Sequence, residues 1–319
     1  MNNKQVVDIL PLSETLSILE SMRTLDLKNV TLDELLEVLR NIGRHIVICT
    51  TIPAGRVICR TVNCDYLKNE ACPYPTRVEQ ISFNPNLDSC KFNRASWEKT
   101  SVFYGSLTTQ LEGRETNSFE VWGDLQSSTK DIDRGEFVIG KWIVKKGLTL
   151  VHISGSMKHN KAQVDGRSNG FWESVKHLPE KMLTLKAMDK FLCDQFVADV
   201  PDNERWRYKI SAAYAQLINS EGLPGLLYPS VKTDGAGYNV ALFSDNLYDY
   251  IELERAALVY VYKREQSIVD EIVLEALPEN NLLKWTEVYK YKLPAIMRNW
   301  YTGKSDDKSF DRHIRYKQL

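Results

Sequence analysis

The chain lacks three things that commonly announce a function: charge of one sign, cysteines at metal-ligand spacing, and a long hydrophobic run. Lys and Arg number 41 against 42 Asp and Glu, a formal net charge of -1. No global field therefore favours nucleic acid or a membrane surface, although a few local arginines suffice for a small anion. The six cysteines, Cys49, Cys59, Cys64, Cys72, Cys90 and Cys193, form no Cys-x-x-Cys pair and have no histidine-rich partner segment, so no metal site is expected. The opening MNNKQVVDILPLSETL has no basic start followed by a long apolar stretch, which points to reduced thiols and a cytoplasmic location. No segment approaches the roughly 18 apolar residues of a membrane-spanning helix. A P-loop is missing, and no Gly-x-Ser-x-Gly elbow surrounds Ser230, which removes the common nucleotide-hydrolase and serine-hydrolase readings.

What remains is an ordinary globular composition, 43% hydrophobic and 26% charged over 319 residues, enough for one large or two smaller domains without external staples. Residues 13 to 42 place Leu16, Leu19 and Met22, then Leu35, Leu36, Val38 and Leu39, at helical spacing, with Ser13 and Thr31 as expected N-caps. From His45 the texture changes to short runs rich in Val, Ile and Tyr: HIVICTTI, RVICRTV, SVFYGSL and FEVWG, separated by Pro, Asn and Gly. The run IGKWIVKKGLTLVHI, 139 to 153, predicts a hairpin with its turn at Lys145, Lys146 and Gly147. Helical periodicity returns over 186 to 199 and over 205 to 220, the latter closing near Gly222. GLLYPSVKTDGAGYNVALF, 225 to 243, predicts two strands around a glycine-rich turn. AALVYVYKR and SIVDEIVLEAL predict two more. The fold class is α+β, divided into a helical N-terminal extension (1–44), a main domain (45–300) and a polar tail (301–319).

Several residues in this frame suit a phosphorylated ligand. Arg56 and Arg60 bracket a strand, Arg94 follows a loop, and Tyr104 lies in a further strand. A guanidinium grips phosphate oxygens in pairs, so arginines with an aromatic neighbour suit a nucleotide diphosphate. The competing reading is a solvated or ion-paired strand face for the arginines and a half-buried sheet residue for Tyr104. Among Glu112, Glu115 and Glu120, only Glu120 sits in an apolar run, FEVW, where a charge is costly without a partner. Ser230 precedes a turn in which Gly235 and Gly237 allow close backbone approach, a feature that serves a ligand or simply a hairpin.

Taken in order, PAGRVICRTV, FNRAS, VFYGS, TNSFEVW and GLLYPSVKTDGAGYNVALF resemble the motifs of the RES family, over roughly residues 50 to 250. The resemblance places the family's Arg at Arg60 and a second Arg at Arg94. Its aromatic position falls at Tyr104, its Glu at Glu120 and its Ser at Ser230, with Asn239 an additional ligand contact. Tyr104 and Glu120 stand further apart than in compact members, so Glu115 stays the alternative. The implied core is a mixed β-sheet with flanking helices, akin to ADP-ribosyltransferases. The implied activity is cleavage of the nicotinamide–ribose bond of NAD by water or phosphate, with NAD as substrate and no other cofactor. The implied setting is a toxin-like effector with a cognate antitoxin or immunity protein, and the oligomeric state is left open. Transfer of ADP-ribose to a protein, and a non-catalytic binding protein of the same fold, are the two alternatives. In the enzyme reading Glu120 stabilises the oxocarbenium-like ribose, Arg60 and Arg94 hold the pyrophosphate, Tyr104 packs on nicotinamide or ribose, and Ser230 orients the ribose or nearby backbone.

Overall fold

The computed structural model describes residues 9–43, 48–64, 74–84, 86–108, 110–111, 114–115, 134–154, 169–231, 237–264 and 267–287. FEVWG and the tail beyond 287 lie outside them, as do Glu120, Gly235 and the boundary at 301. The chain opens with α1 (Leu12–Thr24) and α2 (Leu32–Gly43). Thr31 caps α2 as expected: its hydroxyl accepts from the Glu34 N–H at 3.3 Å while the Glu34 carboxylate accepts from the Thr31 N–H at 2.7 Å. Ser13, in contrast, lies inside α1. Pro11 precedes that helix, and its carbonyl accepts from the Thr15 N–H at 3.0 Å, so the first turn closes without a side-chain cap. Leu19, Met22, Leu35, Leu36, Leu39 and Ile42 are buried, which sinks the apolar stripes of both helices into the main core.

Strands follow: β1 (Cys49–Ile52), β2 (Val57–Asn63), β3 (Val102–Leu107), the short β4 (Gln110–Leu111) and β5 (Arg114–Glu115), β6 (Arg134–Val144) and β7 (Leu148–His152). Helices α3 (Asn169–Val175), α4 (Pro179–Phe196) and α5 (Lys209–Ser220) come next. The expected start of α4 at 186 was too late, because Pro179 is compatible with a first helical position and the helix begins there. The expected helix over 205 to 220 begins only at Lys209, after a 3₁₀ segment over Asp202–Tyr208 in which Glu204 breaks helical geometry. Gly222 adopts a positive φ of 75° past the end of α5. The chain finishes with β8 (Gly225–Pro229), β9 (Tyr238–Phe243), and the long β10 (Ile251–Arg264), β11 (Ser267–Glu279) and β12 (Leu282–Glu287).

Ten of these strands form one mixed sheet in the order β1-β7-β8-β9-β3-β2-β6-β10-β11-β12. β8 and β9 pair antiparallel, as the sequence predicts. β6 and β7 do not form the expected hairpin. β6 pairs with β2, as in Val57 with Ile143, and β7 pairs with β1, as in Ile52 with Leu148. The segment around Lys145–Gly147 is thus the corner of a bent ribbon whose other chain bends at Pro53–Arg56. Ile52, Ile58, Trp142, Leu148, Leu227 and Val240 share one buried cluster inside this curl. A second cluster joins the opposite face of β3, β8 and β9 to α1, α2, α4 and α5.

Candidate functional site

The sheet parts where β2 leaves β3. Only two residue pairs join these strands, Ile58 with Leu107 and Cys59 with Ser106. They approach closely at Gly105, where a Cβ would lie 2.5 Å from Ile58 Cγ2 and 3.0 Å from the Cys59 carbonyl, so a larger residue would force the strands apart. Beyond that point Arg60 spans the gap. Its Nη1 donates to the Tyr104 carbonyl at 2.7 Å and its Nε to the Ile81 carbonyl at 3.2 Å, while the guanidinium lies 5.3 Å from the Phe103 ring centroid. These bonds replace the ladder that the diverging strands give up.

A polar cavity of about 220 Å³ occupies this split, lined on the family-like positions by Arg60, Arg94, Tyr104 and Asn239. Arg94 is anchored from the helical layer. Its Nε and one Nη donate to the carbonyls of Phe196 and Ala198, at 3.0 and 3.1 Å, at the C-terminal end of α4, where exposed carbonyls favour a cation. Its guanidinium also lies 5.2 Å from the Tyr208 ring centroid. Among the described residues no carboxylate pairs with it, so the cation at the cavity meets carbonyl dipoles and an aromatic face but no full counter-charge.

Tyr104 has its hydroxyl committed to structure: it accepts from the Ala95 N–H at 3.0 Å and donates to Ser96 Oγ at 3.1 Å. Burial pushes its pKa up to about 12, opposed by those two bonds and by the nearby positive charges of Arg94 and Arg60. The phenol is therefore neutral at physiological pH and forms a wall rather than a proton carrier. Asn239 stands directly across from Ser106 on one side and Tyr228 on the other, and its Oδ1 accepts from Ser106 Oγ at 3.3 Å. Cys59, Ser106, Asn239 and Tyr228 thus form one cross-strand row over β2, β3, β9 and β8, and all four line the cavity.

Other candidate residues fall elsewhere. Ser230, 1% exposed, is not on the cavity wall; its N–H donates to the Gly237 carbonyl at 2.9 Å and closes the β8–β9 pairing. Glu112 and Glu120 lie outside the described residues. Glu115 lies on β5, where Gln110 pairs with Glu115 and Leu111 with Arg114 in a two-stranded ladder. Arg56 donates to the Thr108 carbonyl and is absent from the cavity wall. Asn93, Thr61, Ser106 and Tyr228 line the cavity without having been singled out by the sequence, because cross-strand register is not written in local periodicity. Among the described residues no group of three His, Cys, Asp or Glu could hold a metal ion, and no helix is long and apolar enough to cross a membrane.

Neither a protein-family model nor a curated protein matches the chain. Among solved structures it is similar to a chain described as part of the M. tuberculosis MbcT–MbcA toxin–antitoxin complex, at 10% identity, covering 84% of this chain and 95% of that one, with a TM-score of 0.33. That score is too low to establish a common fold.

Proposed function

We propose that this protein binds NAD in the β2–β3 split and cleaves its nicotinamide–ribose bond. The observation that carries the reading is the convergence of Arg60, Arg94, Tyr104 and Asn239 on one polar cavity, with the Arg94 charge unpaired among the described residues. These are four positions at which the sequence resembles RES proteins, and they come from four separate segments. A fixed guanidinium in a partly desolvated pocket suits a diphosphate, because its donors are already oriented and the electrostatic attraction is weakly screened. In this reading the two arginines hold the pyrophosphate, the Tyr104 ring forms a wall for ribose or nicotinamide, and the Asn239 amide contacts the sugar. Ser230 acts at one remove, through the backbone of the β8–β9 hairpin.

Cleavage needs a group that favours positive charge on the ribose, and the cavity wall carries no carboxylate among its described residues. Glu120 supplies it in this proposal, with Glu115 as the alternative. Nicotinamide departs neutral, so the ribose cation is the charge to be stabilised. Water or phosphate as the attacking group yields a toxin-like, NAD-depleting effector held in check by an antitoxin. A protein nucleophile in the same place would make the chain an ADP-ribosyltransferase.

The test is incubation of purified protein with NAD, with and without phosphate, reading nicotinamide release and the ribose product. Release that depends on Arg94 supports the reading; intact NAD under both conditions overturns it. Glu120→Gln is expected to lower turnover by about 10²-fold or more, with little effect of Glu115→Gln. The reverse result transfers the role to Glu115.

A further inference from the structure

Asn93 precedes the anchored Arg94 on a tight turn. The Asn93 N–H donates to the Ser96 carbonyl at 2.9 Å and the Ser96 N–H returns a bond at 3.3 Å, so residues 93 to 96 close on themselves. Tyr104 clamps the same turn from outside through the Ala95 N–H and the Ser96 hydroxyl. The turn is consequently ordered before any ligand arrives.

The orientation of the Asn93 side chain follows from its partner. Oδ1 accepts from the Arg94 main-chain N–H at 2.9 Å. A main-chain N–H can only donate, so the atom facing it must be the amide oxygen and not the nitrogen. The NH₂ end is thereby left over. Asn93 lines the cavity, and its Nδ2 has no partner among the described residues. Two preset donors, this amide and the unspent part of the Arg94 guanidinium, belong to adjacent residues on one rigid turn.

We propose that Asn93 is a substrate-binding residue whose NH₂ donates to a diphosphate oxygen held by Arg94. The proposal rests on the cavity being a nucleotide site and adds the residue that sets how the anion is seated. With its Nε and one Nη spent on the Phe196 and Ala198 carbonyls, Arg94 offers a ligand its remaining donors from one side only; a second donor beside it, locked by the backbone, fixes the placement of the phosphate between the two.

Asn93→Asp separates this role from a structural one. The carboxylate keeps an oxygen for the Arg94 N–H and keeps the turn, but puts a negative charge where a donor stood. Binding of ADP, followed by titration calorimetry, is expected to weaken at least about tenfold, with the melting temperature unchanged. Arg94→Ala, measured beside it, reports on the cavity itself. If Arg94→Ala weakens ADP binding while Asn93→Asp leaves it within twofold, the Asn93 assignment is overturned and the nucleotide site stands. If Asn93→Asp lowers the melting temperature as far as Asn93→Ala does, the residue is a turn-former only, and the assignment again falls. If the unaltered protein binds neither ADP nor NAD, the nucleotide reading fails and takes this inference with it.

Discussion

The two ends of the sheet are built on different principles, and the site lies at their seam. On one side β7, β8, β9 and β3 are buried almost throughout, between the curled interior and the layer of α1, α2, α4 and α5. Their sequences accordingly read as near-continuous apolar runs, GLLYP and NVALF among them. On the other side β10 and β11 are longer, and the described parts of β11 and β12 are more exposed. β12 has only Leu283 buried, and Leu277 on β11 is 64% exposed. A site needs rigid walls and an opening, and the seam provides both. The packed half fixes Tyr104, Asn239 and, through the end of α4, Arg94; the divergence of β2 opens the gap that Arg60 spans.

The largest expected effect lies in the packed half. Phe196 is fully buried at the end of α4, against the rings of Tyr214 and Tyr228. Phe196→Ala should cost about 3–5 kcal/mol in urea denaturation. A cost below 1 kcal/mol would mean that this half is not the rigid one. At the seam, Arg60→Ala removes donors from two carbonyls, those of Tyr104 and Ile81, and is expected to cost about 2–3 kcal/mol. The same change should weaken nucleotide binding, so a stability loss with unaltered binding would reduce Arg60 to a structural brace.

Tyr104→Phe tests the seam more gently. Removing the hydroxyl from Ala95 and Ser96 should cost about 1–2 kcal/mol at neutral pH. The folded-state pKa, about 12, is raised above the ordinary 10.0. The contribution of the protonated phenol is therefore complete below pH 10.0 and is lost as pH rises through about 12. Burial also raises Tyr214 and Tyr248, so the unaltered protein loses stability in alkali for several reasons. The diagnostic quantity is the difference from the Tyr104→Phe protein, which should shrink between pH 10 and pH 12. A constant difference across that interval would mean that Tyr104 is not the buried phenol described. The smallest effect belongs to the outer half: Leu277→Ala, on an exposed position, should stay within about 0.5 kcal/mol. A cost of several kcal/mol there would show that another surface covers β11.

Much of the fold was legible locally. The helical stripes of α1 and α2, the Thr31 cap, the β8–β9 hairpin, and the strands β1, β2, β3, β10 and β11 all follow from periodicity and turn residues. Where the reading failed, a distant partner had overridden a local signal. Lys145–Gly147 is a good turn, yet the strands on either side pair with the segment around Cys49–Asn63 and not with each other. In the site, Arg60, Arg94, Tyr104 and Asn239 were nameable because the motifs around them resemble a family. Asn93, Ser106 and Tyr228 lie in the same motifs, but the resemblance assigns them no role, and only the fold brings them to the cavity.

The sequence by itself determined where most helical and extended segments lie, through the spacing of their apolar residues, but not where α4 and α5 begin, nor that α3 and β12 exist. It also determined the chemical types available to a site: arginines for an anion, aromatic and amide side chains for a ring and a sugar. Only the tertiary structure decided that β2 and β3 part after two residue pairs, that carbonyls at the end of α4 hold Arg94, and that Cys59, Ser106, Asn239 and Tyr228 fall in one row. The reason is physical. Register between strands is set by burial over the whole sheet, and a cavity is a relation among segments that no one of them contains.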